Sequence, residues 1–218
     1  MKVNWDMTLF PQEKSAYFQK NKGLWGNFSN MASGFGLEVN ERKIRTVEAL
    51  YQACRFPNHP DIQRQIIDQK SPMAAKMISR KQSRLTRSDW ESEINGNQVR
   101  VMVMKWCLEL KLVDHMDRFG KTFIEASDRG LYIVEHSERD GFWGAKKVND
   151  ETLNGQNVLG KLLMELWDEY EIKVRKPNKS PMTIPPVAIN DFHLFGNPIR
   201  EHTQKTEEPS EQLTMDFR

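Results

Sequence analysis

Residues 131–167 carry the most structural information in this chain, and they read LYIVEHSERDGFWGAKKVNDETLNGQNVLGKLLMELW. An apolar, β-type run ends in Glu-His at 135–136, and an acidic turn follows at 138–141. The block FWG comes next at 142–144, and GQN at 155–157 opens a segment with apolar residues at helical spacing. This order predicts a buried strand, a loop and an amphipathic helix. Its carboxylates, stacking aromatic ring and helix N-terminus suit the binding of a ring and a phosphate and the transfer of a proton.

The composition is that of a globular protein with one domain of ordinary size, since 218 residues are enough to bury a core. The net charge is only +2, so the overall charge does not indicate a nucleic-acid-binding protein, although a local basic patch is compatible with it. Cys54 and Cys107 lie in apolar, helix-like patterns, and we expect buried, reduced thiols. The chain starts without a signal-peptide pattern and has no run of about 18 apolar residues. We therefore expect a cytoplasmic protein without a membrane span.

Three regions differ in their patterning. Residues 1–15 look like a short lead-in, residues 16–174 form one continuously patterned domain, and residues 175–218 look like an extended, Pro-rich and polar tail. Helical periodicity dominates the domain, and the strand-like runs are few and short. We predict a mainly α fold, that is, α+β with a few short strands.

Start signals and periodicity predict the individual elements. The runs 37–39 and 44–46 flank polar residues 40–43 and predict a small hairpin. Thr46 and Ser71 each precede a helical pattern, so we expect both to be N-caps. The predicted elements are helices from Thr46 to about Phe56, at 61–69, from Ser71 onward, at 98–112 and at 156–171, and a buried strand at 131–134.

A first group of candidate site residues lies in the loop 18–30, where two glycines allow turns. Ser29 and Asn30 offer hydrogen-bonding side chains, and Phe28 either stacks on a base or packs in the core. Taken alone, Lys20 is predicted to be a charged side chain exposed to solvent.

A second group is Glu48, Gln52 and Arg55, which share one helix face because they are spaced i, i+4 and i+7. The spacing alone favours a stabilising Glu/Arg face. A partly buried Glu48 would instead have a raised pKa and act as a general acid.

A third group is Glu135-His136 with Asp140, and in an extended strand only one of the first two can face a given pocket. A metal site from Glu48, His136 and Asp140 has no supporting ligand spacing, so we expect no metal. The helix start at 155–157 offers free N–H groups that attract anions.

Six blocks of this chain, in order, resemble the NADAR superfamily, also called the YbiA-like family. They are GNFSN (26–30), VEALYQACRF (47–56), SPMAAKM (71–77), SDWE (88–91), VEHSERDGFWG (134–144) and GQNVLGKLLMEL (155–166). The resemblance implies a helix-rich domain with a few short strands, of YbiA-like type. It also implies an N-glycosidase that uses no cofactor, with Glu48, Trp90 and Asp140 in the active site.

Two activities are associated with the family. One is hydrolysis of ribosylaminopyrimidine phosphates of early riboflavin synthesis. The other is removal of ADP-ribose from guanine in DNA, as the antidote to a DarT-type ADP-ribosyltransferase toxin, through a lysine that forms a Schiff base. Lys20 lies where many members carry an aromatic-x-Lys pattern before the glycine loop, so the resemblance favours the second activity.

The expected catalytic residues are therefore Lys20, Glu48 and Asp140. The residues expected to bind substrate are Phe28, Ser29, Asn30, Gln52, Arg55, Trp90, Trp143, Gly144 and Asn157. The chain departs from the family pattern at Met31, at Ala49 after the catalytic Glu and at Arg55, where Lys is common. These departures leave every expected catalytic group in place, but they put in doubt how the substrate is recognised.

Two other functions stay open, namely the riboflavin-type N-glycosidase and a non-catalytic ADP-ribose reader. The resemblance implies ADP-ribosylated guanine in DNA and a cognate toxin as partners. The C-terminal peptide Gln212–Phe217, QLTMDF, resembles the short motif by which bacterial proteins bind the replication sliding clamp.

Overall fold

The computed structural model describes residues 6–21, 23–177 and 180–204, and it is an α+β fold. The α-helices are α1 Val47–Ala53, α2 Pro60–Ile67, α3 Pro72–Lys81, α4 Val99–Asp114, α5 Met116–Asp128 and α6 Val158–Arg175. The strands are β1 Thr8–Pro11, β2 Ser15–Phe18, β3 Leu37–Val39, β4 Arg42–Ile44, β5 Glu93–Ile94, β6 Asn97–Gln98, β7 Tyr132–Glu135, β8 Lys146–Lys147, β9 Thr152–Gly155, β10 Thr183–Ile184, β11 His193–Leu194, β12 Asn197–Pro198 and β13 His202–Thr203. The helices form the core as predicted, but the strands are more numerous than the sequence indicated.

Helix α4 is the centre of the core, because it packs against α1, α5 and α6. Its side chains are buried on nearly all sides, as its continuous apolar sequence requires. Phe28, Phe119 and Phe123 fill the space beside it, with ring centroids 4.8–6.1 Å apart. This packing holds the loop around Phe28 against α5.

Strands β2 and β7 form a parallel pair, with Phe18 opposite Glu135, and α6 packs on β7. The His136 N–H donates to the Phe18 carbonyl over 2.8 Å and extends the pairing by one residue. Because the carboxyl ends of parallel strands meet at one edge, Gln19 and Lys20 lie beside Glu135 and His136. This edge positions the candidate site.

The predicted helix caps are confirmed. Thr46 Oγ1 accepts the Ala49 N–H over 3.3 Å, and Ser71 Oγ accepts the Ala74 N–H over 3.4 Å. The hairpin is also confirmed, but its turn is shorter than predicted. Only residues 40 and 41 form it, with φ values of 49° and 64°, as a two-residue turn that matches strand twist requires.

Both ends of the described chain pack more tightly than the sequence indicated. Within the predicted lead-in, β1 pairs with β9 and buries Phe10. Within the predicted extended tail, two small antiparallel pairs, β10–β13 and β11–β12, bury apolar residues in the main core. These residues are Met182, Ile184, Phe192, Leu194 and Ile199. The expectation of an extended tail is therefore wrong for residues 182–204, because their apolar side chains find partners on α4 and its neighbours.

Three further findings bear on the sequence predictions. Cys54 and Cys107 are free and buried, as expected. In the parts of the chain that the structure describes, no helix is both long and apolar enough to cross a membrane. The peptide Gln212–Phe217 lies outside the described residues, so its resemblance to a clamp-binding motif stays a prediction.

Candidate active site

A cleft of about 630 Å³ opens at the carboxyl ends of β2 and β7, between α1, α3 and the start of α4. This volume is in the range of sites for small molecules and cofactors. Nine of the twelve predicted site residues line it. They are Lys20, Ser29, Asn30, Glu48, Gln52, Arg55, Trp90, Asp140 and Trp143.

Glu48 lies in the first turn of α1, in the wall of the cleft, and is only 6% exposed. Its Oε1 accepts a hydrogen bond from Gln52 Nε2 over 2.9 Å and lies 3.7 Å from Lys76 Nζ. Gln52 Oε1 in turn accepts from Arg55 Nη1 over 3.2 Å. The predicted helix face is therefore a chain of hydrogen bonds that ends in a buried carboxylate with a neighbouring cation.

Arg55 is anchored so that one donor remains for a ligand. Its Nη atoms donate to Gln52, Ser79 and Thr86 over 3.1–3.2 Å. Its Nε is buried and has no partner among the described residues. Burial lowers the pKa of the guanidinium, but a guanidinium keeps its proton in proteins. An anionic ligand in the cleft would satisfy the free N–H.

Asn30 is the second buried group with an unused polar atom. Its Nδ2 contacts Met104 Sδ at 3.0 Å, while Oδ1 has no partner within the described chain. The buried ammonium of Lys111 holds the adjacent backbone, since it donates to the carbonyls of Asn27 and Ser29 over 2.5 and 3.0 Å. Burial lowers the pKa of Lys111 well below its ordinary value. The loop thus presents Asn30 Oδ1 as a fixed acceptor.

Three aromatic side chains form one wall of the cleft. Tyr51 lies 5.3 Å from Trp90 and 5.7 Å from Trp143, measured between ring centroids. Trp90 is 6% exposed, whereas Trp143 is only partly buried. Trp143 therefore has the more accessible ring for stacking, whereas the buried Trp90 packs against Tyr51.

Asp140 holds the loop that carries Trp143. Its Oδ1 accepts the N–H groups of Phe142 and Trp143, both over 3.0 Å, and its own N–H donates to Ser137 Oγ. Its carboxylate therefore positions the stacking ring, besides lining the cleft. Proton transfer from Asp140 stays a prediction.

Glu135 is the main residue that the sequence analysis undervalued. It lines the cleft together with His136, although a continuous strand would have turned one of them away. Both residues lie at the carboxyl end of β7, which ends at Glu135. Burial raises the pKa of Glu135 to about 7; Lys76 lowers it, while Glu48 and Asp140 raise it. Glu135 therefore holds a proton near neutral pH inside the cleft.

Lys20 lies at the rim of the cleft, directly after β2. Its side chain is exposed, and its backbone has a φ of 56°, a left-handed conformation that is uncommon outside glycine. Within the described residues its ammonium makes no ion pair or hydrogen bond. The lysine can therefore reach into the cleft, but only a bound substrate would remove it from water.

Two predicted binding residues have structural roles. Phe28 is completely buried in the aromatic core, so it cannot stack on a ligand. Gly144 is required by close packing, because a Cβ there would lie 2.6 Å from the Glu135 carbonyl oxygen. The prediction for Phe28 was wrong because the motif blocks do not distinguish pocket residues from those that support them, whereas substrate binding by Gly144 stays a prediction.

Asn157 and the helix start beside it are also structural. The side chain of Asn157 is fully buried; it accepts the Glu135 N–H over 3.0 Å and donates to the Ile133 carbonyl over 2.9 Å. The N–H groups of residues 156–159 donate to carbonyls of residues 141–144. The predicted anion site at this helix start is therefore wrong, since its donors are already used.

Several cations that the sequence analysis missed lie in the wall of the cleft. Lys76, Arg80 and Arg100 line the cleft. The Arg100 guanidinium lies 3.8 Å from the Phe142 ring centroid and pairs with Glu91 over 3.3 Å. The helical spacing of Lys76 and Arg80 was a usable signal, but nothing local indicated that this face borders the cleft.

Comparison with known proteins agrees with this architecture. A family model described as the NADAR domain matches residues 17–170. The N-glycosidase YbiA of Escherichia coli K12 is 30% identical over 162 residues, which cover 74% of this chain and 92% of that protein. The chloroplastic riboflavin biosynthesis protein PYRR of Arabidopsis thaliana is 33% identical over 118 residues, or 52% of this chain and 18% of that protein.

A solved structure gives the same picture. The NMR structure of the Escherichia coli protein YbiA superposes with a TM-score of 0.60 at 29% sequence identity, and the match covers 77% of this chain and 90% of that chain. The matched family region contains the whole of β7, α1, α3 and α4, and with them every described wall of the cleft. The chain therefore belongs to the NADAR domain family.

Proposed function

We propose that the protein is an N-glycosidase that removes ADP-ribose from ADP-ribosylated guanine in DNA and so acts as the antitoxin of a DarT-type ADP-ribosyltransferase. The observation that carries the proposal is the position of Lys20 at the rim of a cleft whose interior holds Glu48, Glu135 and Asp140. A nucleophile and a protonated carboxyl group on one cleft suit cleavage of a glycosidic C–N bond. The relation to N-glycosidases of the YbiA type supports the same class of reaction.

The polar lining suits ADP-ribose in particular. Arg55, Arg80 and Arg100 supply positive charge for a diphosphate, and Trp143 supplies a ring for stacking. Asn30 Oδ1 is a fixed acceptor for an amine or hydroxyl group. The volume of about 630 Å³ is in the range expected for a ligand of this size.

The proposed reaction begins when substrate binding removes Lys20 from water and favours its neutral amine. Lys20 Nζ attacks the anomeric carbon of the distal ribose and loses its proton, while the bond from that carbon to the guanine amine breaks. A carboxyl group of Glu48 or Asp140 gives the leaving nitrogen a proton. The lysine adduct opens to an imine, water adds to it, and the products are free ADP-ribose, unmodified guanine and regenerated Lys20.

The test is release of ADP-ribose from a guanine-ADP-ribosylated DNA oligonucleotide, followed by mass spectrometry. Lys20→Ala is expected to lose most turnover while remaining folded, and borohydride is expected to trap a covalent adduct with the native protein only. Lys43→Ala removes an exposed lysine from β4 and serves as the matched control. Full activity of Lys20→Ala would refute the lysine mechanism, and no release by folded native protein would refute the proposed substrate.

The alternative substrate is a ribosylaminopyrimidine phosphate, which the partial match to a riboflavin biosynthesis protein favours. Direct attack by water would then make Lys20 dispensable and leave the chemistry to Glu48 and Asp140. The activities of Lys20→Ala and Lys43→Ala on that substrate decide between the two mechanisms. Binding of ADP-ribosylated DNA without product release would indicate a reader instead of an enzyme. A cognate toxin, and binding of the sliding clamp through residues 212–217, are further expectations of the antitoxin role.

A further inference from the structure

The basic residues of this chain are concentrated next to the cleft. Residues 69–88 contain six basic side chains and no acidic one, whereas the rest of the chain has 26 basic and 30 acidic residues. The six are Lys70, Lys76, Arg80, Lys81, Arg84 and Arg87. The low net charge of the whole protein therefore conceals one strongly positive segment.

This segment forms α3 and the 3₁₀ turn Ser83–Leu85. Met73, Lys76 and Arg80 of α3 line the cleft, so the helix is one of its rims. Residues at helical spacing continue this face of α3 away from the cleft. We call Met73, Met77, Arg80, Lys81 and Arg84 the α3 ridge, and all five side chains are exposed.

The charge on the α3 ridge is not neutralised by the protein. Some exposed cations elsewhere in the chain pair with carboxylates, as Arg64 does with Asp61 and Arg129 with Glu125. Arg80, Lys81 and Arg84 make no ion pair within residues 6–21, 23–177 and 180–204. Their guanidinium and ammonium groups are free for an external polyanion.

We propose that the α3 ridge binds the sugar–phosphate backbone of a single DNA strand whose modified base lies in the cleft. The placement of the base rests on the proposed function; binding of the strand does not. From Met73 to Lys81 the helix rises by about 12 Å, which corresponds to roughly three to four nucleotide steps. Lys81 and Arg84 contact phosphates of the strand, Arg80 also lines the cleft, and the exposed methionines supply apolar contact to sugars and bases.

The first test measures binding of an unmodified, fluorescein-labelled 12-mer of single-stranded DNA over a series of salt concentrations. The variant Lys81→Ser/Arg84→Ser changes two residues outside the cleft lining. It is expected to bind about tenfold more weakly and to lower the slope of log K against log salt by about 1.4, because each single-strand phosphate contact contributes about 0.7. Lys43→Ser/Lys121→Ser carries the same change in net charge on β4 and α5 and is expected to bind like the native protein.

The second test compares hydrolysis of the ADP-ribosylated oligonucleotide with that of ADP-ribosylguanosine. The ridge variant is expected to lose kcat/KM on the oligonucleotide alone. Equal binding by both double variants would overturn the proposal, as would a preference for anionic lipid vesicles over DNA. If neither the native protein nor any variant hydrolyses either substrate, the proposed function is refuted. If the ridge variant alone then loses DNA binding, the proposal that the α3 ridge binds DNA is still supported.

Discussion

Replacement of Glu135 by Gln is expected to stabilise the protein at alkaline pH and to leave it unchanged at acid pH. Glu135 lies at the end of β7, among Glu48, Asp140 and Lys76, and burial raises its pKa to about 7 from an ordinary value of 4.5. The unfolded chain releases this proton at about pH 4.5, whereas the folded protein keeps it until about pH 7. The free energy of unfolding therefore falls as the pH rises through this window and stays lowered above it.

The magnitude follows from the difference between the two pKa values. At about 1.4 kcal/mol per pKa unit, the ionised carboxylate costs the folded state at most about 3.5 kcal/mol above pH 7. A glutamine has the same shape and no charge, so it avoids this cost at every pH. The stabilisation by Glu135→Gln should therefore grow from near zero at pH 4.5 to about 2–3 kcal/mol at pH 8.5.

Urea denaturation of both proteins between pH 4.5 and 8.5 measures this dependence. Glu138→Gln removes an exposed carboxylate three residues further along the chain and is the matched control. Its effect on the free energy of unfolding is expected to stay small, within about 0.5 kcal/mol, as for other surface changes. A pH-independent effect of Glu135→Gln, or an equal effect of both variants, would refute the reasoning.

Three further predictions concern the core and the site. Phe192→Ala should lower the free energy of unfolding by about 3–5 kcal/mol, because Phe192 packs edge-on against Trp106 at 5.0 Å. Urea denaturation measures this change. An unchanged urea midpoint would mean that residues 182–204 are not docked on the core. Asn157→Ala should cost about 1–3 kcal/mol by the same method with little change in KM, since it leaves two backbone groups of β7 unpaired. Glu48→Gln should reduce turnover by about 10²–10⁴-fold with an unchanged circular dichroism spectrum, whereas near-native turnover would exclude Glu48 as the acid.

The sequence predicted elements whose signals are local. Thr46 and Ser71 cap helices because a side-chain oxygen followed by a helical pattern is sufficient. Helix α5 was missed although Phe119, Phe123 and Ala126 lie at helical spacing on its buried face, which also contains Gly120. That glycine is explained only by packing, since a Cβ there would lie 2.6 Å from Val174 Cγ1 of α6.

The prediction for residues 182–204, after α6, was wrong because their stabilising contacts are also distant in sequence. The prolines of this segment indicate an extended linker, and the partners that hold it are distant in sequence. Gln63 of α2 donates to the His193 carbonyl over 2.9 Å and accepts the Phe195 N–H over 2.6 Å. A buried glutamine that bonds residues about 130 positions away has no local sequence signature.

In the site, residue types and spacing predicted the face of Glu48 and Gln52, because an α-helix fixes that geometry. The proton of Glu135 and the borders of the cleft were not predictable in this way. They depend on the crowding of carboxylates from α1, β7 and the following loop, and on the approach of α3.

The position of Lys20 imposes a requirement on the rest of the cleft. The proposed lysine mechanism needs a neutral amine for attack, yet a diphosphate bound nearby would stabilise the ammonium form. Cations closer to the diphosphate than Lys20 would offset this effect, and Arg55, Arg80 and Arg100 are available for it along the cleft wall. The carboxyl groups have the opposite need, since one of them must keep a proton at the pH at which the amine is free. Glu135 meets that need near pH 7, because its pKa is raised to about 7.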